Sequence, residues 1–186
     1  MNSWEASALE YQYGSGTAVD MRQPISARRT DNTIFHPALY TSSGVDVMAI
    51  LMQIYSRPNP QVYLGAIDAS CPMIIVDLKQ HDYPIVYASD AFSILTGYSN
   101  HEIIGSNCRF LQAPPGKAPK PTKEQREAVR IMRHAVKTNQ ECQLTVTNYR
   151  KDGSKFSNYL TMIPVVWNSR DGTPNYSVGL QVEVEA

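Results

Sequence analysis

The spacing of apolar residues changes along the chain, and each change marks an element. From Val45 to Tyr55 the apolar side chains wrap a helical wheel except for one narrow stripe occupied by Asp46 and Gln53. Two apolar arcs flank that stripe: Val45, Met48, Met52 and Tyr55 on one side, Val47, Ile50, Leu51 and Ile54 on the other. A helix that is apolar nearly all round has to be covered twice. One arc therefore packs on the domain, and the other needs a second surface or a partner chain. Arg57-Pro58-Asn59-Pro60 then stops the helix, because proline lacks the amide donor and clashes with the preceding turn. Residues 1–43 show no sustained period and are rich in Ser, Thr, Asn, Tyr and Ala, which predicts a mostly flexible segment. The predicted order is that segment, a cap helix and hinge over residues 44–70, and a core over residues 71–186.

Within the core the pattern is that of an α+β fold. Met73 to Val76 and Pro84 to Ala88 read as two strands joined by a polar turn. Ser89 caps a short helix closed by Gly97, and Ser99-x-x-Glu102 is a capping box for the next. Thr122-x-x-Gln125 opens a longer helix to about Lys137, with Val129, Met132 and Val136 at helical spacing. Three strands follow, Cys142 to Tyr149, Lys155 to Val166 and Asn175 to Glu183, with turns at Lys151–Ser154 and Arg170–Thr173. Between the helices runs Ala113 to Pro121, where four prolines in nine residues exclude a helix and leave a stiff, extended excursion.

Composition narrows the function classes. Lys+Arg and Asp+Glu both number 17, so no bulk charge points to nucleic acid or an anionic membrane as a direct partner. No apolar run approaches the ~20 residues of a membrane span, and no basic stretch precedes an apolar one at the N-terminus; an intracellular protein is expected. Cys71, Cys108 and Cys142 are odd in number and show no CxxC spacing, which suggests neither a disulfide framework nor a metal site.

A period of two exposes candidate chemistry. Cys142, Leu144, Val146 and Asn148 share one face of the first C-terminal strand, and Phe156, Asn158, Leu160 and Met162 share one of the next. Each inward face thus carries one asparagine among apolar neighbours. A three-residue loop at Asp152–Ser154 would set Asn148 opposite Asn158. A buried amide left unpaired costs ~1–3 kcal/mol, so the two either bond to backbone and to each other or hold a polar ligand between them. The last strand puts Gln181 on the face of Ser177 and Gly179, and the missing side chain at Gly179 would admit a flat ring.

The run Gly105-Ser106-Asn107-Cys108-Arg109-Phe110-Leu111-Gln112 places one thiol between two amide side chains, beside an arginine. Together with Thr96-Gly97-Tyr98-Ser99, Asn148, Asn158 and Gly179-x-Gln181, it resembles the signature of light-oxygen-voltage (LOV) domains, flavin-binding photosensors of the PAS fold. Tyr55 to Val62, Asp77 to Gln80, Pro84 to Ser89 and Leu160 to Val165 look like small fungal LOV photoreceptors of the Vivid type, with similarity from about Gly44 to Glu183. Departures are the proline-rich loop, a longer last turn from Trp167 to Asn175, and Pro72 after Cys71.

The resemblance implies a PAS/LOV fold, a five-stranded antiparallel sheet with flanking helices and an N-terminal helical cap. It implies that Asn107, Gln112, Asn148 and Asn158 hydrogen-bond the isoalloxazine edge, that Arg109 and Arg133 bind phosphate, and that Ile74, Ile85, Leu95, Met132 and Met162 line the flavin. Cys108 would be the photoreactive thiol, protonated in the dark and joined reversibly to flavin C4a after blue light, while N5 gains a proton that the Gln181 amide senses. The Ala113–Pro121 loop, with Lys117 and Lys120, would accommodate the adenine end of FAD, FMN being the alternative.

The same resemblance bears on output. Cys71 at the hinge, with Ile50 and Leu51 on the cap helix, would relay the change into a light-dependent homodimer. The implied partner is a LOV-containing white collar transcription complex, restrained during photoadaptation, which puts the protein in cytoplasm and nucleus. A non-enzymatic sensor is expected. The alternative is a flavin-dependent redox enzyme or redox sensor on a PAS scaffold, against which stand the small size and the lack of a second substrate motif.

Overall fold

β1 (Met73–Asp77) and β2 (Ile85–Ala88) form a hairpin, and β3 (Cys142–Tyr149), β4 (Lys155–Val165) and β5 (Tyr176–Val184) form a meander. Pairing of β1 with β5 joins them into one antiparallel sheet of order β2-β1-β5-β4-β3. The computed structural model describes residues 45–65, 67, 70–118 and 120–185. The flexible segment expected over residues 1–43 lies outside the described residues. Every strand end falls within one residue of the position expected from the alternation.

Both faces of the sheet are covered, which is why β1 reads as an unbroken apolar run rather than an alternation. The outer face packs under α1 (Val47–Ser56), whose first turn is capped by Asp46 Oδ1 accepting from the Ala49 N–H at 3.0 Å. Val47, Ile50 and Ile54 are buried there against Met73, Ile75, Ile163, Val165, Val178 and Leu180. Each such aliphatic side chain contributes roughly 1.5–3 kcal/mol by leaving water. Met48, Met52 and Tyr55, the other arc, stay exposed. Val45 groups with that arc on a wheel but is buried, because the helix begins only at Val47 and the wheel does not extend back to it.

The inner face carries the second core. α2 (Asp90–Thr96) starts at Ser89, whose Oγ accepts from the Phe92 N–H, and ends at Gly97, whose φ of 75° suits a residue without Cβ. α3 (Asn100–Ile103) has the capping box of Ser99 and Glu102, and α4 (Lys123–Thr138) that of Thr122 and Gln125. Between them a 3-10 helix, Cys108–Gln112, takes the signature run across the inner face. Ile74, Ile85, Ala88, Phe92, Ile103 and Leu111 close this core, with Cys108 packed against it.

One expectation fails in the meander. Arg150–Ser154, closed by the Arg150 N–H donating to the Ser154 carbonyl at 2.9 Å, connects β3 to β4 in place of the three-residue loop. The register therefore pairs Val146 with Asn158 and Asn148 with Phe156. Asn148 and Asn158 are diagonal neighbours rather than opposite ones. A displacement of two residues leaves both on the inner face, since side-chain direction repeats every second residue.

Candidate functional site

The inner ends of β3, β4 and β5 place three amides where the alternation expects them. Asn158 Nδ2 donates to Asn148 Oδ1 at 2.8 Å, and Asn148 Nδ2 donates to the Leu111 carbonyl at 3.2 Å and that of Thr147 at 3.1 Å. The asparagines thus bond to each other and to backbone, and one of those bonds ties β3 to the 3-10 helix that carries Cys108. That does not exhaust them. Asn158 and Gln181 are each 2% exposed, and among the described residues Asn158 Oδ1 and Gln181 Oε1 are buried with no hydrogen-bond partner. Two such oxygens cost about 1–3 kcal/mol apiece. Cross-strand pairing of Leu160 with Gln181 and of Asn158 with Glu183 makes the two residues diagonal neighbours on one face. They are acceptors awaiting donors.

Gly179 stands in the row Ile74–Gly179–Met162–Cys142 that crosses β1, β5, β4 and β3. A Cβ there would lie 3.1 Å from Gln181 Nε2 and 3.2 Å from Ile74 Cγ1. The glycine therefore leaves the room in which the Gln181 amide sits.

Cys108 opens the 3-10 helix, half-buried as a residue, and packs against the cluster of Ile74, Ile85 and Leu111. Burial pushes its thiol up to about 12, with a backbone hydrogen bond and the Arg109 charge pulling down without offsetting it. The sulfur holds its proton through the physiological range and cannot act as a thiolate there.

The polar residues of the signature divide. Asn107 caps the 3-10 helix, its Oδ1 accepting from the Arg109 N–H at 3.0 Å, and its Nδ2 donates to the Asp82 carbonyl. Arg109 is exposed and paired with the Asp82 carboxylate. These two residues gather at the β1–β2 turn, while Asn148, Asn158 and Gln181 gather on the sheet. Gln112 lines a cleft of about 390 Å³ with Ala113, Pro114, Lys117, Lys120 and Tyr149. Arg133 is exposed on α4 and Met132 half-buried; Leu95 and Met162 are half-buried, and Ile74 and Ile85 are buried.

The hinge is built around Ser89 and Pro72. Ser89 Oγ donates to the Cys71 carbonyl at 3.0 Å and accepts from the Met73 N–H at 2.9 Å. The Gln181 N–H donates to the Pro72 carbonyl at 2.9 Å. Cys71 is half-buried beside the outer core. Ile50, expected with Leu51 in the relay, is 0% exposed inside the cap–sheet interface, and Leu51 is half-buried at its edge. Asp82, the Ser89 link to Cys71, and the Arg57–Glu141 pair that fastens the cap were all missed from sequence. Each joins residues too far apart for local spacing to reveal.

A family profile described as a PAS domain matches residues 70–184. The chain is 43% identical over 152 residues to the blue light receptor LreA of Aspergillus flavus and 42% identical over 150 residues to the white collar 1 protein of Neurospora crassa. Those matches cover 80% and 79% of this chain but 18% and 13% of the two relatives, so it spans less than a fifth of their length. A crystal structure of the photo-excited blue-light photoreceptor Vivid is 51% identical, with a TM-score of 0.69 over 78% of this chain and 99% of that one. A light-state dimer of Vivid matches at 49% identity and a TM-score of 0.69 over the same shares.

Proposed function

Because the chain belongs to the PAS family, and within it to the fungal LOV blue-light photoreceptors of the Vivid type, we propose that it senses light through a reversible Cys108–flavin bond that shifts the cap helix and changes self-association. LOV photoreceptors bind a flavin. The observation that carries the site assignment is the pair of partnerless oxygens, Asn158 Oδ1 and Gln181 Oε1, buried on the inner face. A flavin ring edge offers both donors and acceptors, and side-chain amides can match either. The residues present fit that group.

A flavin, once bound and lit with blue light, supplies an electrophilic ring carbon for the Cys108 sulfur and a ring nitrogen that takes the proton. The rest falls to this chain. Cys108 brings sulfur and proton together, since burial keeps the thiol intact until light arrives. That protonation argues only against thiolate chemistry at Cys108 in the dark. Asn148 holds Asn158 and the 3-10 helix in one network, which fixes the thiol relative to the amides. Gln181 would reverse the amide polarity it presents to the newly protonated nitrogen. Its main chain is hydrogen-bonded to Pro72, so strain at the side chain reaches the hinge.

The cap then moves relative to the sheet. The exposed arc of Met48, Met52 and Tyr55 is the apolar surface available for association, with Leu51 and the buried Ile50 behind it. Covering such an arc is favourable at ~25 cal/mol per Å², so a small displacement alters association. The Vivid light-state dimer supports a homodimer, and similarity to white collar 1 supports a white-collar-type complex as the partner. Cytoplasm and nucleus are the compartments proposed with it. FAD is the proposed cofactor, on the grounds that Lys117 and Lys120 line the cleft beside Gln112, with FMN as the alternative. Absorption before and after blue light tests the reading: the flavin band should bleach and recover slowly in wild type and stay unbleached in Cys108→Ala. Bleaching in that variant with the same recovery would refute it. Chromatography of extracted flavin separates FAD from FMN.

A further inference from the structure

Asp82 engages two polar residues of the signature, Asn107 and Arg109. Its carboxylate forms a bidentate pair with the Arg109 guanidinium, Oδ2 accepting from Nη1 at 2.8 Å, and its main-chain carbonyl accepts from Asn107 Nδ2. Asp82 and the next residue, Tyr83, both adopt left-handed backbone, with φ of 68° and 50°. Side-chain-bearing residues pay for that conformation, and it concentrates where a ligand or a switch demands it. The pair is open to solvent, with side-chain exposure of 61% for Arg109 and 40% for Asp82. An exposed ion pair adds little to folding stability, so stability alone does not account for a strained turn aimed at one arginine.

A guanidinium has one planar fork that suits a carboxylate and a phosphate alike. Resting on the flavin reading above, we propose that Asp82 is a specificity residue of the cofactor site: its carboxylate competes with the cofactor phosphate for Arg109 and sets how far phosphate-bearing flavins are favoured over riboflavin. A phosphate reaching Arg109 has either to displace the carboxylate or to share the guanidinium with it. Displacement forfeits an ion pair, and sharing brings two anions together. Both weaken phosphate binding and leave the ring contacts untouched, because the amides on the sheet are a separate cluster.

The full chain, stripped of flavin, is titrated with riboflavin, FMN and FAD. The variants are Asp82→Asn, Asp82→Glu, Arg109→Gln and the double substitution of Asp82→Asn with Arg109→Gln. Asp82→Asn keeps the main-chain carbonyl that Asn107 uses. It is expected to bind FMN and FAD about three- to tenfold more tightly than wild type, and riboflavin within about twofold. The gain should vanish in the Arg109→Gln background and be absent in Asp82→Glu, which keeps the charge. Should Asp82→Asn fail to fold, Asp82→Ser carries the same expectation. An equal change for all three flavins, an unchanged or weaker affinity for FMN, or a gain that persists without Arg109 would overturn the proposal. Failure of wild type to bind any flavin would overturn the photoreceptor reading as well, an outcome distinct from these.

Discussion

The main-chain N–H of Gln181 donates to the Pro72 carbonyl at 2.9 Å, so one residue both faces the buried amide cluster and holds the hinge of the cap. Among the described residues its side-chain oxygen has no hydrogen-bond partner, while its backbone is committed to the hinge. A change in what the side chain bonds can therefore be felt at Pro72 without crossing any other residue.

Gln181→Leu should separate these roles. The backbone bond survives, the partnerless oxygen disappears, and the flavin-free protein should gain about 1 kcal/mol in urea unfolding. Photobleaching should remain, while the light-driven rise in self-association falls several-fold, as expected when a coupling of about 1–3 kcal/mol is lost. Sedimentation of lit and dark samples decides it; undiminished light-driven association in the variant would rule Gln181 out as the relay.

Cys108 makes a pH prediction. In the unfolded chain its thiol ionises near ~8.5, whereas burial raises the folded value to about 12. Between those limits the native state keeps a proton that the unfolded state has released, so stability falls as pH rises. Below pH ~8 the group contributes no slope. The limiting slope is ~1.4 kcal/mol per pH unit for one proton. Wild type should lose stability faster than Cys108→Ala between pH ~9 and ~10.5, and parallel curves would show that the thiol is not buried as described.

What could be read from sequence was what is local or periodic. Ser89, Ser99 and Thr122 mark helix starts because caps bond within three residues, and Asn148 and Asn158 face inward because a strand alternates strictly. The register between those asparagines was not legible, since it depends on how Arg150–Ser154 folds back. Nor was the packed arc of α1, because both arcs are apolar and only the sheet chooses Ile50 over Met52. Asp82 was hidden by distance: it meets Arg109 across a gap of 27 residues, from a turn with no periodic signal.

A methyl group at Gly179 would crowd two side chains. A Cβ at 3.1 Å from Gln181 Nε2 and 3.2 Å from Ile74 Cγ1 is too close without rearrangement. Gly179→Ala is expected to lose roughly 1–3 kcal/mol of stability by overpacking and to purify with less bound flavin, since the displaced amide is one that should face the ring. Full flavin occupancy with unchanged melting would contradict the crowding argument.

The cap is fastened at its far end by Arg57 and Glu141, 14% and 11% exposed, with Nε donating to Oε1 at 2.5 Å. Arg57 also donates to the Ile54 and Val62 carbonyls, and Glu141 Oε2 accepts from the Gln61 and Val62 N–H groups at 3.0 and 2.9 Å. This clamp closes the chain after α1 onto the start of β3. Arg57→Ala leaves a largely buried carboxylate and two carbonyls without their guanidinium, a loss expected to cost about 2–4 kcal/mol of cap docking. The cost should fall on the cap, because the amide cluster and Cys108 lie across the sheet. Limited proteolysis should cut near α1 faster, while the dark flavin spectrum stays unchanged. A cycle with Glu141→Gln measures the coupling, and additive effects of the two substitutions would show that the pair does not act as a clamp. A cap loosened this way should also associate in the dark, because the clamp and the Gln181–Pro72 bond restrain the same segment from opposite ends.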